Sequence, residues 1–240
     1  MKASVSIVIW IILTSLTILL FLVEAILAII LYPFDKNKKI LHAQCFWWAK
    51  AVIGCNPYWD IRATGLENID KNKTYVMVAN HQSLADIAIM YKIHTQFKWV
   101  AKESLFVLPF IGWCLSLTKH IRLSRGDIGS IKKAYKEAVF WLRKDMSVLF
   151  FPEGTRSENG KIGKFQNGAF KLAIQEKKPV LPIVIKGTRE AIPKGSWIFK
   201  ARVTGRLTVL EPIETKNLQT KDFVFLRETV YKKIETLAAS

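Results

Sequence analysis

Two short polar segments carry the side chains best suited to catalysis, and the first holds His81 and Asp86. It reads Asn80-His81-Gln82-Ser83-Leu84-Ala85-Asp86 and directly follows the apolar run Tyr75–Ala79. Residues five apart lie about 140° apart around a continuous helix, so the two side chains would not meet there. If Ser83 caps a helix, Asp86 is its third residue and leans back toward His81. An imidazole held by a carboxylate can act as a general base on an alcohol; the alternative is a capping box beside an incidental histidine.

The second segment, Phe151-Pro152-Glu153-Gly154-Thr155-Arg156, follows the apolar run Ser147–Phe151. Proline, glycine and threonine at a strand end predict a tight turn whose backbone N–H groups can point outward. Arg156 could hold a phosphate through two parallel hydrogen bonds. The alternative is an ordinary polar turn in which Arg156 pairs with Glu153 or Glu158.

Two further basic residues also sit where β-rich runs end. In the segment Lys119–Arg125, strand alternation places His120, Arg122 and Ser124 on one face and Arg125 with the apolar residues on the other. Arg125 is therefore a candidate anion ligand, although this segment taken alone fits a solvated basic edge better. Lys102 closes the run Phe97–Val100, and an ordinary surface lysine is its alternative reading.

Seven short β-rich runs alternate with helical segments and must position these side chains. They are Tyr58–Thr64, Thr74–Ala79, Phe97–Val100, His120–Leu123, Ser147–Phe151, Val180–Ile185 and Ala201–Val209. Two helical stripes stand out, one through Ile131, Tyr135, Ala138 and Leu142, the other through Phe223, Leu226, Val230, Ile234 and Leu237. The pattern predicts an α/β fold, with a mixed, mainly parallel sheet of about seven strands flanked by helices.

The N-terminal segment predicts attachment to a membrane. Residues 3–34 carry one charge, Glu24, and the run is long enough for a helix that spans hydrocarbon. A cleaved signal peptide would have a much shorter apolar core. An aromatic-rich second helix is expected over Ile40–Pro57, as an interfacial or a core helix. We expect a two-helix membrane motif over residues 1–57 and a catalytic domain over residues 58–240.

Whether the two helices span the bilayer or enter one leaflet is not decided by the sequence. Three lysines (Lys36, Lys38 and Lys39) follow the apolar run, whereas Lys2 alone precedes it. The positive-inside rule then places the rest of the chain on the cytoplasmic face of the membrane.

Composition limits the partners. The 240 residues include 36 Lys and Arg against 19 Asp and Glu, a net charge of +17, all of it after Phe34. Such a surface suits anionic partners, such as phospholipids or phosphorylated substrates. Nucleic acid is disfavoured because the aromatic residues are not interleaved with surface bases. The three cysteines, Cys45, Cys55 and Cys114, form no CxxC or His-coupled spacing, so neither a zinc site nor a disulfide scaffold is expected.

Taken in order, these motifs resemble the glycerolipid acyltransferase family, which includes the 1-acyl-sn-glycerol-3-phosphate acyltransferases. The resemblance covers about residues 58–187. It rests on the NHxxxxD block (Asn80, His81 and Asp86), the arginine Arg125 of a second block, a complete FPEGTR block and the strand Leu181-Pro182-Ile183. The second block departs from the family at Lys119, where glycine is usual, and at Ser124, where an acid is common.

The resemblance implies acyl transfer to the sn-2 hydroxyl of 1-acyl-sn-glycerol 3-phosphate (lysophosphatidic acid), which makes phosphatidic acid. The donor would be acyl-CoA or acyl carrier protein. It implies His81 and Asp86 as catalytic residues, with no metal and no cofactor. The acceptor would contact Lys102, Arg125, Glu153, Gly154, Thr155 and Arg156. Another lysolipid or glycerol 3-phosphate is the alternative acceptor, and a membrane-anchored lipid-binding module without catalysis is the rival class.

Overall fold

The computed structural model describes residues 3–157, 160–193 and 195–239. The strands are β1 (Trp59–Thr64), β2 (Val76–Ala79), β3 (Phe97–Lys102), β4 (Ile121–Leu123), β5 (Ser147–Phe150), β6 (Val180–Lys186) and β7 (Val203–Val209). The α-helices are α1 (Ala3–Ile30), α2 (Lys39–Gly54), α3 (Ala85–Met90), α4 (Glu103–Phe106), α5 (Ile111–Leu117), α6 (Ile128–Arg143), α7 (Gly168–Gln175) and α8 (Phe223–Ala239).

The strands form one seven-stranded sheet in the order β1-β7-β6-β2-β5-β3-β4. Only the β6–β7 pair is antiparallel among the ladders of this sheet. The predicted mixed, mainly parallel α/β sheet is therefore confirmed, and each predicted β-rich run overlaps one of these strands. Central strands are buried on both faces, as in other sheets covered by helices on both sides.

Two apolar layers cover the two faces of the sheet. Helices α1, α2 and α3 contribute to one buried cluster, and α6, α7 and α8 contribute to the other. The C-terminal stripe predicted from the sequence packs through Leu226, Val230 and Ile234. In α6, Ala138 and Leu142 are buried as predicted, but Ile131 is exposed; Ala134 and Trp141 are also buried.

The apolar N-terminal segment forms one 28-residue helix, α1, which is long and apolar enough to cross a membrane. Both of its halves nevertheless contact the rest of the chain. Ser6 Oγ, which is buried, accepts a hydrogen bond from Phe199 N–H at 3.1 Å. Phe21 packs against the rings of Phe110 and Trp113. The predicted second helix is present as α2 and ends at Gly54, slightly before the predicted end.

Pro182 lies in β6, which has a neighbour on each side. Its carbonyl accepts a hydrogen bond from Leu210 N–H at 2.9 Å, just beyond the last residue of β7. The antiparallel pairing slips by one residue there, from Ile183↔Val209 to Val180↔Ile213. A bulge is one of the few places in a sheet that tolerates a residue without N–H, so Pro182 marks where this ladder ends.

The five parallel strands β6, β2, β5, β3 and β4 end at the same edge of the sheet. The connection from β2 runs through α3 to β3, whereas the connection from β5 runs through α7 to β6, on the other side of β2. A crevice forms where neighbouring parallel strands send their connections in opposite directions, and ligands of open α/β sheets bind there. The two polar segments predicted to be functional follow β2 and β5, on the two sides of this crevice.

Candidate active site

The contact predicted between His81 and Asp86 is present. Nδ1 of His81 lies 2.9 Å from Oδ2 of Asp86. The same oxygen accepts hydrogen bonds from the backbone N–H groups of Gln82 at 2.6 Å and Ser83 at 2.8 Å. The Asp86 carboxylate is fully buried, whereas 15% of the His81 side chain is exposed. Because Nδ1 faces a carboxylate, the neutral ring carries its proton on Nδ1 and presents the lone pair of Nε2 outward.

The local helix start differs in detail from the predicted capping box. Helix α3 begins at Ala85, and its N-cap position is Leu84, one residue after Ser83. Ser83 N–H does bond to the Asp86 carboxylate, but the Ser83 hydroxyl accepts from Ala85 N–H and donates to Ile192 O. The hydroxyl therefore ties the turn to a distant segment, because its oxygen can accept and its proton can donate at the same time.

The turn after β5 holds the backbone of His81 from two sides. Oε1 of Glu153 accepts a hydrogen bond from His81 N–H at 2.8 Å, and Ser157 N–H donates to His81 O at 2.9 Å. The ring of Phe151 stacks on the imidazole with 4.1 Å between centroids and 9° between planes. The imidazole is thus fixed at its backbone, at Nδ1 and across one face.

Both oxygens of Glu153 are occupied by backbone donors. In addition to His81 N–H, Gly163 N–H donates to Oε2 at 2.7 Å. Burial raises the pKa of the Glu153 carboxyl above its ordinary value, and these two hydrogen bonds oppose the shift. The assignment of Glu153 to substrate binding stays a prediction. Its two hydrogen bonds join the loop that contains His81 to the loop that contains Gly163.

Three cationic side chains follow the ends of β3, β4 and β5. Lys102 and Arg125 are exposed, and Arg156 is partly buried. Lys102 pairs across the ladder with Leu123, two residues before Arg125. The Nε atom of Arg125 lies 3.8 Å from the place that a Cβ atom on Gly154 would take. The tight turn and two of the cations are therefore neighbours.

Within the described residues, none of these three cations makes an ion pair. The proposed pair between Arg156 and Glu153 is absent there, and Glu158 lies outside the described residues. Nη1 of Arg156 is buried and has no hydrogen-bond partner among the described residues. A buried guanidinium donor without an acceptor is costly, which favours an anion bound at this place.

Gly154 and Thr155 complete the turn. Gly154 has a φ of 75°, a left-handed conformation that favours glycine. Thr155 is exposed, and its predicted role in substrate binding stays a prediction. The glycine lets the chain reverse while Arg125 lies against it.

The segment around β4 does not follow the predicted alternation, because His120 and Arg122, predicted on one face, differ in burial. His120 is buried in the core, whereas Arg122 is exposed beside Glu103, with 3.9 Å between charged atoms. Lys119 has a φ of 56°, which lies in the left-handed region. Glycine, which is usual at this position in similar sequences, adopts this conformation without the steric cost of a side chain.

A second group of possible metal ligands lies at the other end of β3 and β4. His42, Cys45 and His120 bring ligand atoms within 4.8 Å of one another, although their spacing predicted no site. His42 Nδ1 lies 2.5 Å from Gln96 Oε1, so the Gln96 side chain is its hydrogen-bond partner. Trp99 N–H donates to His120 Nδ1 at 3.1 Å. Neutral His120 therefore carries its proton on Nε2, the remaining ring nitrogen, and this tautomer opposes metal binding.

The sequence assigned no role to Thr188, and it named Asn80 only as part of the NHxxxxD block. Thr188 donates its hydroxyl proton to Oδ1 of Asp86 at 2.6 Å. The Asn80 side chain makes two hydrogen bonds of 2.8 Å with the backbone of Ile185 and so joins β2 to β6. Thr188 follows the end of β6, so it has the same sequence signal as the other candidate residues, a polar side chain just after a strand.

Chemically, the crevice combines a base and an anion-binding edge. His81 is held in one tautomer beside a buried carboxylate, which suits proton abstraction from an alcohol. Arg125 and Arg156, beside the same turn and in no ion pair with a described residue, suit a phosphate group. A substrate that carries both a hydroxyl and a phosphate fits this combination.

Comparison with known proteins agrees with this chemistry. The Acyltransferase family model matches residues 60–186. The 1-acyl-sn-glycerol-3-phosphate acyltransferase LPAT1, chloroplastic, of Arabidopsis thaliana is 36% identical over 194 residues, 78% of this chain and 54% of that protein. The 1-acyl-sn-glycerol-3-phosphate acyltransferase of Saccharomyces cerevisiae is 34% identical over 202 residues, 81% of this chain and 64% of that protein. The chain spans about half the length of several curated relatives that it matches.

A solved structure shares nearly the whole architecture. The crystal structure of the 1-acyl-sn-glycerophosphate (LPA) acyltransferase PlsC from Thermotoga maritima superposes with a TM-score of 0.73 at 27% sequence identity. The match covers 95% of this chain and 96% of that one, so it includes the N-terminal helices. The matched family region contains His81, Asp86 and the FPEGTR turn. This chain therefore belongs to the acyltransferase family.

Proposed function

We propose that this chain transfers an acyl group from an acyl thioester to the sn-2 hydroxyl of 1-acyl-sn-glycerol 3-phosphate, making phosphatidic acid. The observation that carries the proposal is the oriented His81–Asp86 pair at the same sheet edge as three cations without ion-pair partners among the described residues. The relatives named for this reaction and the family membership support it.

In the proposed reaction, Nε2 of His81 removes the proton from the acceptor hydroxyl. The resulting alkoxide attacks the thioester carbonyl, and the carbon–sulfur bond breaks as the new ester forms. The imidazolium then returns its proton to the leaving thiolate. Asp86 stabilises the imidazolium through its charge and holds the ring in place. The sequence offers no serine or cysteine placed for an acyl-enzyme, so we propose direct transfer, without a metal or prosthetic group.

The acceptor phosphate would bind Arg156, Arg125 and Lys102. A phosphate dianion requires several charge-assisted donors, and Arg156 has a buried donor atom that finds no partner in the described part of the chain. The acyl donor would be acyl-CoA or acyl carrier protein, and the net charge of +17 suits either anionic carrier.

We further propose that the chain attaches to one leaflet, on the cytoplasmic face of the membrane. A helix that crosses the bilayer away from the body cannot contact the body through both of its halves, yet α1 does so at Ser6 and at Phe21. Its remaining surface is mostly exposed and apolar. A cysteine placed at the N-terminus should be labelled by an impermeant thiol reagent from the cytoplasmic side; labelling only from the opposite side would contradict this topology.

The experiment for the function measures acyl transfer with a panel of lysolipids and glycerol 3-phosphate, and adds Arg156→Ala. We expect KM for lysophosphatidic acid to rise about 10-fold or more, because a charge-assisted contact is lost. KM for acyl-CoA should change much less, and Arg156→Lys should restore only part of the affinity.

Arg143→Ala is the matched control, since Arg143 pairs with Glu176 at the opposite edge of the sheet. Equal losses for both substrates together with lower thermal stability would make Arg156 a structural residue of the turn. A wild-type protein that prefers another acceptor in the panel would replace lysophosphatidic acid in the proposal.

A further inference from the structure

The Asp86 carboxylate uses its two oxygens differently. Oδ2 accepts from three donors, the His81 ring and two backbone N–H groups. Oδ1 faces the other way and accepts from the hydroxyl of Thr188 at 2.6 Å. The carboxylate is fully buried, and a buried charge is tolerated only where hydrogen bonds replace water. Within the described residues, Thr188 thus supplies the one side-chain hydroxyl that donates a hydrogen bond to Oδ1.

The chain places Thr188 under Asp86 through a turn that requires glycine. Gly187, just after β6, has a φ of 74°, and a Cβ atom there would lie 2.0 Å from the carbonyl oxygen of Thr204. Thr188 is itself fully buried. A Cβ atom on Gly205 would lie 3.3 Å from the Thr188 methyl group, so the absent side chain in β7 leaves space for that methyl. Packing of the methyl group fixes the rotamer that aims the hydroxyl at Asp86.

We propose that Thr188 is a positioning residue for the catalytic pair. Its hydrogen bond anchors Oδ1, so the Asp86 carboxylate cannot rotate about its Cβ–Cγ bond without losing contacts at both oxygens. Oδ2 therefore stays aligned with Nδ1 of His81 while the ring gains and returns a proton. Thr188 touches neither substrate in this proposal; it acts through Asp86. The inference rests on the proposed acyl-transfer function.

Thr188→Val tests this role because valine keeps the shape and removes only the hydroxyl. We expect kcat to fall by about 10-fold to 100-fold, the worth of one charge-assisted hydrogen bond. KM for lysophosphatidic acid and for acyl-CoA should change less than about 2-fold, because no substrate contact is removed. Thr188→Ser retains the hydroxyl and should keep most of the turnover.

Thr215→Val is the matched control. Thr215 is also fully buried, and its hydroxyl lies within hydrogen-bond distance of the carbonyls of Ala173 and Lys178, before the start of β6 and away from the crevice. It should lose thermal stability with kcat nearly unchanged. If Thr188→Val keeps wild-type kcat, if Thr188→Ser falls as far as valine, or if the control loses as much turnover, the proposal is wrong.

A second readout needs no substrate and so separates this inference from the proposed function. In histidine-labelled protein, the Nδ1 proton of His81, identified by its loss in His81→Gln, should resonate as a strongly hydrogen-bonded proton. We expect the same resonance in Thr188→Ser and a broadened or shifted one in Thr188→Val. An unchanged resonance in Thr188→Val would overturn the positioning role. A wild-type protein inactive toward every acceptor would contradict the function alone.

Discussion

Replacing Asp86 by asparagine isolates the charge of the carboxylate from its geometry. Two of the three groups at Oδ2 are backbone N–H groups, which cannot accept a hydrogen bond, so the amide oxygen of asparagine must take that position. The amide nitrogen then faces Thr188, whose hydroxyl oxygen can accept. His81 therefore keeps its proton on Nδ1, and the substitution removes only the negative charge that stabilises the imidazolium.

The expected loss follows from the distance between the two charges. Unit charges about 4 Å apart interact by about 4 kcal/mol at an effective dielectric constant of about 20. A transition state with about half of the proton transferred would lose about half of this, or about 2 kcal/mol. That corresponds to a fall in kcat of about 30-fold. Removal of the base itself in His81→Ala should cost more, about 10²-fold to 10⁴-fold.

The assay follows release of the coenzyme A thiol with a thiol-reactive chromophore under saturating lysophosphatidic acid. Asp145→Asn is the matched control, because Asp145 is a surface residue paired with Lys178. The control should keep its full turnover. A loss in Asp86→Asn that equals or exceeds the loss in His81→Ala would refute the reasoning, because it would mean that the amide inverts and the imidazole tautomer is lost.

Two further predictions concern Glu153, in the candidate site, and His42, at the other end of the sheet. In Glu153→Gln, one of the two backbone donors would face an amide N–H₂ group. We therefore expect the protein to lose about 1–3 kcal/mol of stability and to have a lower kcat, with KM for lysophosphatidic acid unchanged. A selective rise in that KM would instead assign Glu153 to substrate binding. Burial lowers the pKa of His42 from 6.5 to about 4, so the unfolded chain binds more protons in this range and stability should fall by about 3 kcal/mol as pH drops from 6.5 to 4. Denaturant unfolding should show that slope, and His42→Gln should flatten it; an unchanged slope would place the acid sensitivity elsewhere.

Local sequence patterns were sufficient for the elements. Each β-rich run overlaps a strand, and the long apolar run and the C-terminal stripe are both helical. These elements are predictable because the periodicity of buried residues is a property of each local segment. The His81–Asp86 contact was also within reach, since the two residues are five positions apart and a helix start brings them together. The order of the motifs sufficed to suggest the family.

Contacts between distant segments were decided only by the tertiary structure. Thr188 lies 102 positions from Asp86, Glu153 lies 72 positions from His81, and Gln96 lies 54 positions from His42. The spacing of residues along the sequence does not predict such pairs, because the order and register of the sheet strands determine which strand ends meet. The sequence alone predicted the His81–Asp86 contact and the elements that carry it; the packing of β2, β5 and β6 decided which side chains hold that pair in place.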